Sequence, residues 1–142
     1  MTSKSTETWN ERVKERYANT FESTLGVEFK KYSDGYCEVE LKVKPEHLNI
    51  GGSVHGGVIE SILDIALSGA VTGTLLDTPQ SCVTLQMNVN FLKAGSPDDV
   101  LTGFAEIIKR GRTISYVEGG IKNQNGKLIA KASGDWFIKS AN

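Results

Sequence analysis

Imidazoles are scarce in this chain. With two histidines among 142 residues, His47 and His55, the nitrogen ligands are too few and too awkwardly spaced for a closed zinc site, and no metal centre is expected. Thiols are equally few. Cys37 and Cys82 form no Cys-x-x-Cys pair or zinc-type spacing and read as reduced thiols of a cytoplasmic protein. No excess of one charge exists either: 16 basic and 17 acidic side chains leave a formal net charge of -1, which offers no field to nucleic acid or an anionic membrane. The opening run MTSKSTETWNERVKER is polar and lacks the apolar core of a signal peptide. The one long apolar stretch carries Glu60 and Asp64 inside it, which argues against a membrane span. No Gly-Lys-Ser/Thr follows the glycines of GGSVHGG, no Gly-x-Ser-x-Gly elbow occurs, and Cys82 has no histidine near it in sequence. Phosphate-loop, serine-hydrolase and cysteine-nucleophile chemistries therefore fall away.

What the chain does have is the stretch Asn49 to Leu76, NIGGSVHGGVIESILDIALSGAVTGTLL. After a glycine-rich turn it runs as the longest helix-like segment available. At 100° per residue, Gly57, Glu60, Ser61, Asp64, Ser68 and Thr72 fall in one narrow polar stripe, and apolar residues cover the rest of the circumference. Such a helix is mostly buried. Ser61 and Ser68 flank Asp64 one turn away on either side, which points to a lined cavity rather than to an ion pair.

Before this helix, Glu7 to Thr20 places Trp9, Val13 and Tyr17 at helical spacing, a short amphipathic helix lying on the domain as an N-terminal extension over residues 1–22. From Gly26 the period changes to two, and a Ser33-Asp34-Gly35 turn joins two strands into a hairpin with Cys37, Val39, Leu41 and Val43 on its apolar face. After Thr78-Pro79 come four more strands. Val83, Leu85, Met87, Val89 and Phe91 alternate with polar residues, and the runs Val100 to Lys109, Thr113 to Lys122 and Leu128 to Ile138 follow, each after a short turn. Short turns mean antiparallel neighbours. The 142 residues thus read as a single α+β domain, an antiparallel sheet wrapped around one long central helix.

Three features could carry chemistry together: a helix start at Gly56-Gly57, the carboxylate of Asp64, and Asn49 on the approach. Free N–H groups at a helix N-terminus stabilise charge on an incoming oxygen. An acid beside such a site suggests an oxyanion hole with a base. Gly56 and Asp64 are eight residues apart, about 12 Å along a helix, whereas a base acting through water must lie about 3 Å from it. One subunit cannot supply both. If both act on one substrate, two antiparallel helices must meet about a two-fold axis passing close to residue 60. An obligate homodimer is therefore expected, with a dimer of dimers as a further assembly. His55, at the helix start, is expected to hydrogen-bond locally and shape the turn.

The run Asn49-x-x-Gly52-x-x-His55-Gly56-Gly57-x-x-x-x-Ile62-x-Asp64 resembles the motif of hotdog-fold acyl-CoA thioesterases of the phenylacetate-degradation (PaaI-like) group. The order of elements agrees over nearly the whole chain after the N-terminal helix. The resemblance implies hydrolysis of an acyl-CoA thioester, with CoA as part of the substrate and no separate cofactor. It implies that Gly56 presents its N–H to the thioester carbonyl and that Asn49 binds that oxygen or positions the helix start. Asp64 of the other subunit would activate the hydrolytic water or attack directly. Thr84 and Ser68 fall where relatives place hydroxyls that assist the water. His55 and Gly57 would complete the substrate-facing corner, and Lys109, Arg110 and Arg112, with Lys93 as a weaker candidate, could meet the CoA phosphates. A non-catalytic acyl-CoA-binding module is the main alternative. A hotdog dehydratase or hydratase would want a histidine in the cavity, and His55 sits at the wrong end of the helix for that.

Overall fold

The computed structural model describes Glu11 and residues 13–140. Residues 13–17 are helical, and Val13 and Tyr17 of the expected N-terminal helix lie in them, whereas Trp9 falls outside the described residues. A second short helix, α1 (Phe21–Leu25), starts where the Thr20 hydroxyl accepts the Ser23 N–H. It ends at Gly26, whose φ of 91° closes the left-handed cap that glycine accommodates.

Strands β1 (Glu28–Ser33) and β2 (Tyr36–Lys42) form the expected hairpin. A 3-10 turn over Pro45–His47 and the loop after it lead to α2 (Gly56–Thr72), followed by β3 (Ser81–Phe91), β4 (Val100–Lys109), β5 (Ile114–Lys122) and β6 (Leu128–Lys139). All strand pairs are antiparallel, in the spatial order β1-β2-β4-β5-β6-β3. The six-stranded sheet curls around α2, which lies across β2, β4 and β5 and has β3 along one flank. On α2 the buried residues are Ile59, Ile62, Leu63, Ile65, Ala66, Leu67, Gly69, Ala70 and Val71. The polar stripe read from the sequence, from Gly57 to Thr72, coincides with positions left partly or fully accessible.

The helix is seated closely because glycine faces it. At Gly103 of β4, a Cβ would lie 2.7 Å from Ile62 Cγ2 and 3.1 Å from Val39 Cγ2, and both of those residues are fully buried. At Gly69 of α2, a Cβ would lie 2.6 Å from the Cys37 sulfur. Strand β3 departs from the regular alternation that its sequence suggests. A one-residue bulge at Leu85 separates the Thr84–Trp136 pair from the Gln86–Asp135 pair. Before it, Cys82 and Thr84 face the helix. After it, Met87 and Val89 do so. Val83 and Leu85, which share the alternating apolar register of Met87 in the sequence, are 44% and 53% exposed. The reason is local: the polar stripe of α2 takes the hydroxyl of Thr84, and the apolar core further along takes Met87, so the strand changes phase between them.

Packing this tight predicts that Gly103→Ala costs about 1–3 kcal/mol and lowers the thermal midpoint by several degrees. An unchanged midpoint would mean that α2 is not seated on β4 in this way.

Candidate active site

The corner that starts α2 is held by a chain of hydrogen bonds. Asn49 Oδ1 accepts the N–H groups of Gly51 (2.9 Å) and Ser53 (3.2 Å), and its amide nitrogen donates to the Ser53 hydroxyl at 3.2 Å. Asn49 is thus spent on the loop and, within one chain, acts on the helix start through it. Behind the loop, His47 is 4% exposed. Its Nδ1 accepts the Lys44 N–H at 2.9 Å, so the ring proton sits on Nε2 and donates to the Leu25 carbonyl at 2.8 Å. The His47 carbonyl in turn accepts the His55 N–H at 2.9 Å, and the Val54 N–H donates to Gly95 at 2.9 Å. In the sequence His47 stands only as one of two imidazoles too few for a zinc site. Its position two residues before Asn49 is visible in the sequence, but its reach back to Leu25 is not.

His55 caps the helix, its Nδ1 accepting the Gly57 N–H at 2.8 Å. The Val58 N–H donates to the His55 carbonyl at 2.9 Å. Of the first three helix amides, only that of Gly56 has no acceptor among the described residues. The two glycines therefore differ. A Cβ on Gly57 would press against the capping imidazole, 3.0 Å from Nδ1, whereas one on Gly56 would meet only the Phe91 ring at an ordinary 3.6 Å. Within the chain a side chain at 57 would crowd the capping imidazole, and one at 56 would not. Gly56 lines a cavity of about 310 Å³ with Phe91, Leu92 and Lys93. The amine of Lys127 stands beside that of Lys93, and the hydrogen-bond contact with it, followed by its like charge, holds the Lys93 pKa below its ordinary value.

Two turns further along α2, Asp64 opens on a different cavity of about 650 Å³. The Thr84 hydroxyl donates to Asp64 Oδ1 at 2.7 Å, and no cation lies within ion-pair distance of the carboxylate among the described residues. Asp64 Oδ2 is left for a ligand or water. Ser68 Oγ accepts the indole N–H of the fully buried Trp136 at 2.7 Å, which fixes its orientation and leaves it a proton to donate. Cys82, on the same side, is held protonated: burial pushes its thiol pKa up, against a smaller lowering by the Thr72 hydroxyl. Asp64, Thr84 and Ser68 are thus brought together, while Gly56, Gly57, His55 and Asn49 gather at the other end of the polar stripe.

The basic turn of Lys109, Arg110 and Arg112 lies elsewhere. Arg110 pairs with Asp34 at 3.0 Å, and the β1–β2 turn to which it is tied also approaches Gly73, just past the C-terminal end of α2. In a single chain this turn is at the opposite end of the helix from Gly56.

A family model described as the thioesterase superfamily matches residues 51–130, a span that includes Gly56, Asp64 and Thr84. The chain is 29% identical over 116 residues to human acyl-coenzyme A thioesterase 13, covering 80% of this chain and 81% of that protein. Among solved structures, it is 37% identical to a hypothetical thioesterase protein from Streptococcus pneumoniae TIGR4 determined with coenzyme A, with a TM-score of 0.74 over 82% of this chain and 91% of that one. It also superposes on the PaaI protein from the phenylacetic acid degradation operon of E. coli with a TM-score of 0.85, 23% identity and 96% of both chains covered, a likeness of fold. The helix wrapped in an antiparallel sheet is the hotdog architecture.

Replacing His47 by Leu strands the Lys44 N–H and the Leu25 carbonyl in the interior, at about 1–3 kcal/mol each. Chemical denaturation should show that loss, and His47→Gln, which can accept and donate, should recover part of it. Equal stability of the leucine variant and the parent would contradict the bonding described.

Proposed function

The chain belongs to the thioesterase superfamily, and from that membership we propose that it hydrolyses acyl-CoA thioesters to a free acid and CoA, in sites that each draw on two copies of the chain. The observation that carries this reading is the placement of the Gly56 amide and Asp64. They lie about 12 Å apart along one helix, in separate cavities, and β3 runs past both, with Thr84 bonded to Asp64 and Phe91 against Gly56. Strand β3 is an edge of the sheet, and its free N–H and C=O groups suit a second β3. In an antiparallel pair centred near Met87 and Asn88, Thr84 and Asp64 of one protomer face Phe91 and Gly56 of the other. The same two-fold axis passes α2 near Glu60, which is exposed. On the outer face of the sheet, Val83 and Ile114, both exposed, flank Phe137 in one cross-strand row, an apolar surface that supports pairing of such dimers.

In each site the thioester carbonyl oxygen accepts the Gly56 N–H of one protomer. Asp64 of the other takes a proton from a water whose oxygen bonds to the carbonyl carbon. The charge that develops on the carbonyl oxygen lies at a helix N-terminus, where the amide and the dipole stabilise it. As the carbonyl reforms, the C–S bond breaks and the departing thiolate takes the proton from the Asp64 carboxyl. The Thr84 hydroxyl on Oδ1 orients the carboxylate so that Oδ2 meets the water. Lys93 and Lys127 supply positive charge beside the Gly56 cavity for the CoA phosphates, and Lys109, Arg110 and Arg112 would approach that end from the partner subunit.

Thiol release from acyl-CoAs tests the assignment. Asp64→Asn should lose turnover by about 10²–10⁴-fold while still binding substrate; near-normal turnover rejects Asp64 as the base. Gly56→Pro removes the Gly56 amide at a position where proline suits the helix, and the extended φ and ψ of His55, -61° and 137°, accept a following proline. That variant should fold and be inactive. Mixing the two inactive variants under subunit exchange should restore about a quarter of the parental activity, because half of the dimers then carry one intact site of two. Absence of any recovery between variants shown to exchange would rule out sites shared across the two-fold axis.

A further inference from the structure

The cavity at the start of α2 holds a single reactive side chain. Val54, Ile59, Phe91, Leu92 and Ala94 give it apolar walls, glycine backbone completes them, and Lys93 supplies the one side-chain nitrogen or oxygen among its lining residues. The backbone fixes where that amine hangs. The Ile129 carbonyl accepts the N–H groups of both Leu92 and Lys93, at 2.9 and 3.1 Å. Just before Ile129, Lys127 ends a turn that Asn123 ties twice. The Asn123 side-chain oxygen accepts the Lys127 N–H at 3.0 Å, and the Asn123 N–H donates to the Lys127 carbonyl at 3.0 Å. The pairing of β3 with β6 therefore delivers two amines to one place.

An ammonium is no nucleophile, and a neighbouring cation is one of the ways in which a lysine is kept as the free amine. Contact with the Lys127 amine, then its like charge, then lost hydration lower the Lys93 pKa, against a raise by Asp99. Asp99 is engaged elsewhere: its carboxylate accepts the Ser96 N–H and the Gln124 amide, each at 2.9 Å. Among the described residues no carboxylate lies within ion-pair distance of Lys93. We propose that Lys93 is an acyl acceptor, modified by the thioester whose carbonyl oxygen sits at the Gly56 amide. This rests on the reading of Gly56 as the donor to that carbonyl. The amine nitrogen bonds to the carbonyl carbon, the charge that develops on the oxygen is met by the amide, and the C–S bond then breaks. CoA departs as the thiolate and takes the proton that the nitrogen sheds, which leaves an amide on Lys93 and free CoA. Water activated by Asp64 competes for the same carbon, so acylation is the slower outcome in a complete site. Once formed, the amide removes the Lys93 charge and leaves the acyl chain in the cavity. That site is then closed by its own substrate.

Intact-mass and peptide analysis of the chain incubated with saturating hexanoyl-CoA tests this, with the exposed Lys44 and Lys139 as internal references. In Asp64→Asn, where water no longer competes, the adduct should map to Lys93 and form there about tenfold or more faster than at either reference. Adding Gly56→Pro, or Lys127→Gln, should return the rate at Lys93 to that of the references. Hydrolysis by the parent should fade over repeated turnovers as the adduct accumulates. Lys93→Arg, which keeps the charge without a nucleophilic amine, should not fade, and this arm serves if the double variants do not fold. Acylation at Lys93 no faster than at the references, or unaffected by Gly56→Pro, would overturn the proposal. Should the parent release no thiol beyond the adduct, the hydrolytic reading falls, while Lys93 is still judged against the references. Should hydrolysis depend on Asp64 with Lys93 no faster than they are, only the self-acylation falls.

Discussion

The rise of an α-helix governs what this molecule can do. Asp64 and the Gly56 amide stand on one accessible stripe of α2, but two turns of rigid helix hold them apart, and no rotation of a side chain closes that gap. In the proposed dimer a second copy of the chain would meet this constraint without altering the helix. The edge strand β3 makes the solution geometrically natural, since it touches the acid near one end and the amide near the other. In the proposed dimer, symmetry would then generate two sites from one set of parts, each pairing the proposed base of one protomer with the proposed anion-stabilising donor of the other.

Such a division places heavy demands on the amide, because an N–H donor acts only where the backbone puts it. Hence the density of bonding behind the helix start. His47 ties the 3-10 turn to the end of α1, its carbonyl holds His55, His55 caps Gly57, and Asn49 closes the loop between them. The N–H groups of Gly51 to His55, Gly57 and Val58 all have acceptors, so among the described residues the Gly56 amide at the helix start is both fixed in position and left free. The carboxylate end is built differently. Thr84 directs one oxygen of Asp64, Trp136 directs Ser68, and the rest of the stripe faces open cavity.

Much of this was legible in the chain itself. The polar stripe of α2 emerged from helical spacing because burial decides which of its positions can be polar, and six strands emerged from alternation and turn residues. Three features escaped for physical reasons. The bulge at Leu85 leaves no mark in an alternating pattern, since it exists to reconcile two partners, Asp64 and the core around Met87, that are distant in sequence. The different duties of Gly56 and Gly57 could not be told from two adjacent glycines, because one answers to the His55 ring and the other to space outside the chain. The basic turn at Lys109 to Arg112 reads as a cation cluster in sequence, yet folding ties Arg110 to Asp34 and leaves Lys93 and Lys127, widely separated in sequence, side by side near Gly56.

The extra residue in β3 bears on any attempt to transplant this chemistry. On an uninterrupted ladder, a strand that turns Thr84 toward the helix would also turn Gln86, Asn88 and Asn90 inward, burying a row of amides where Met87 and Val89 now pack. A designer grafting the acid and hydroxyl onto another scaffold must therefore carry the irregularity along with the two side chains. The unit that can be moved is the bulged strand with its helix, rather than a pair of functional groups.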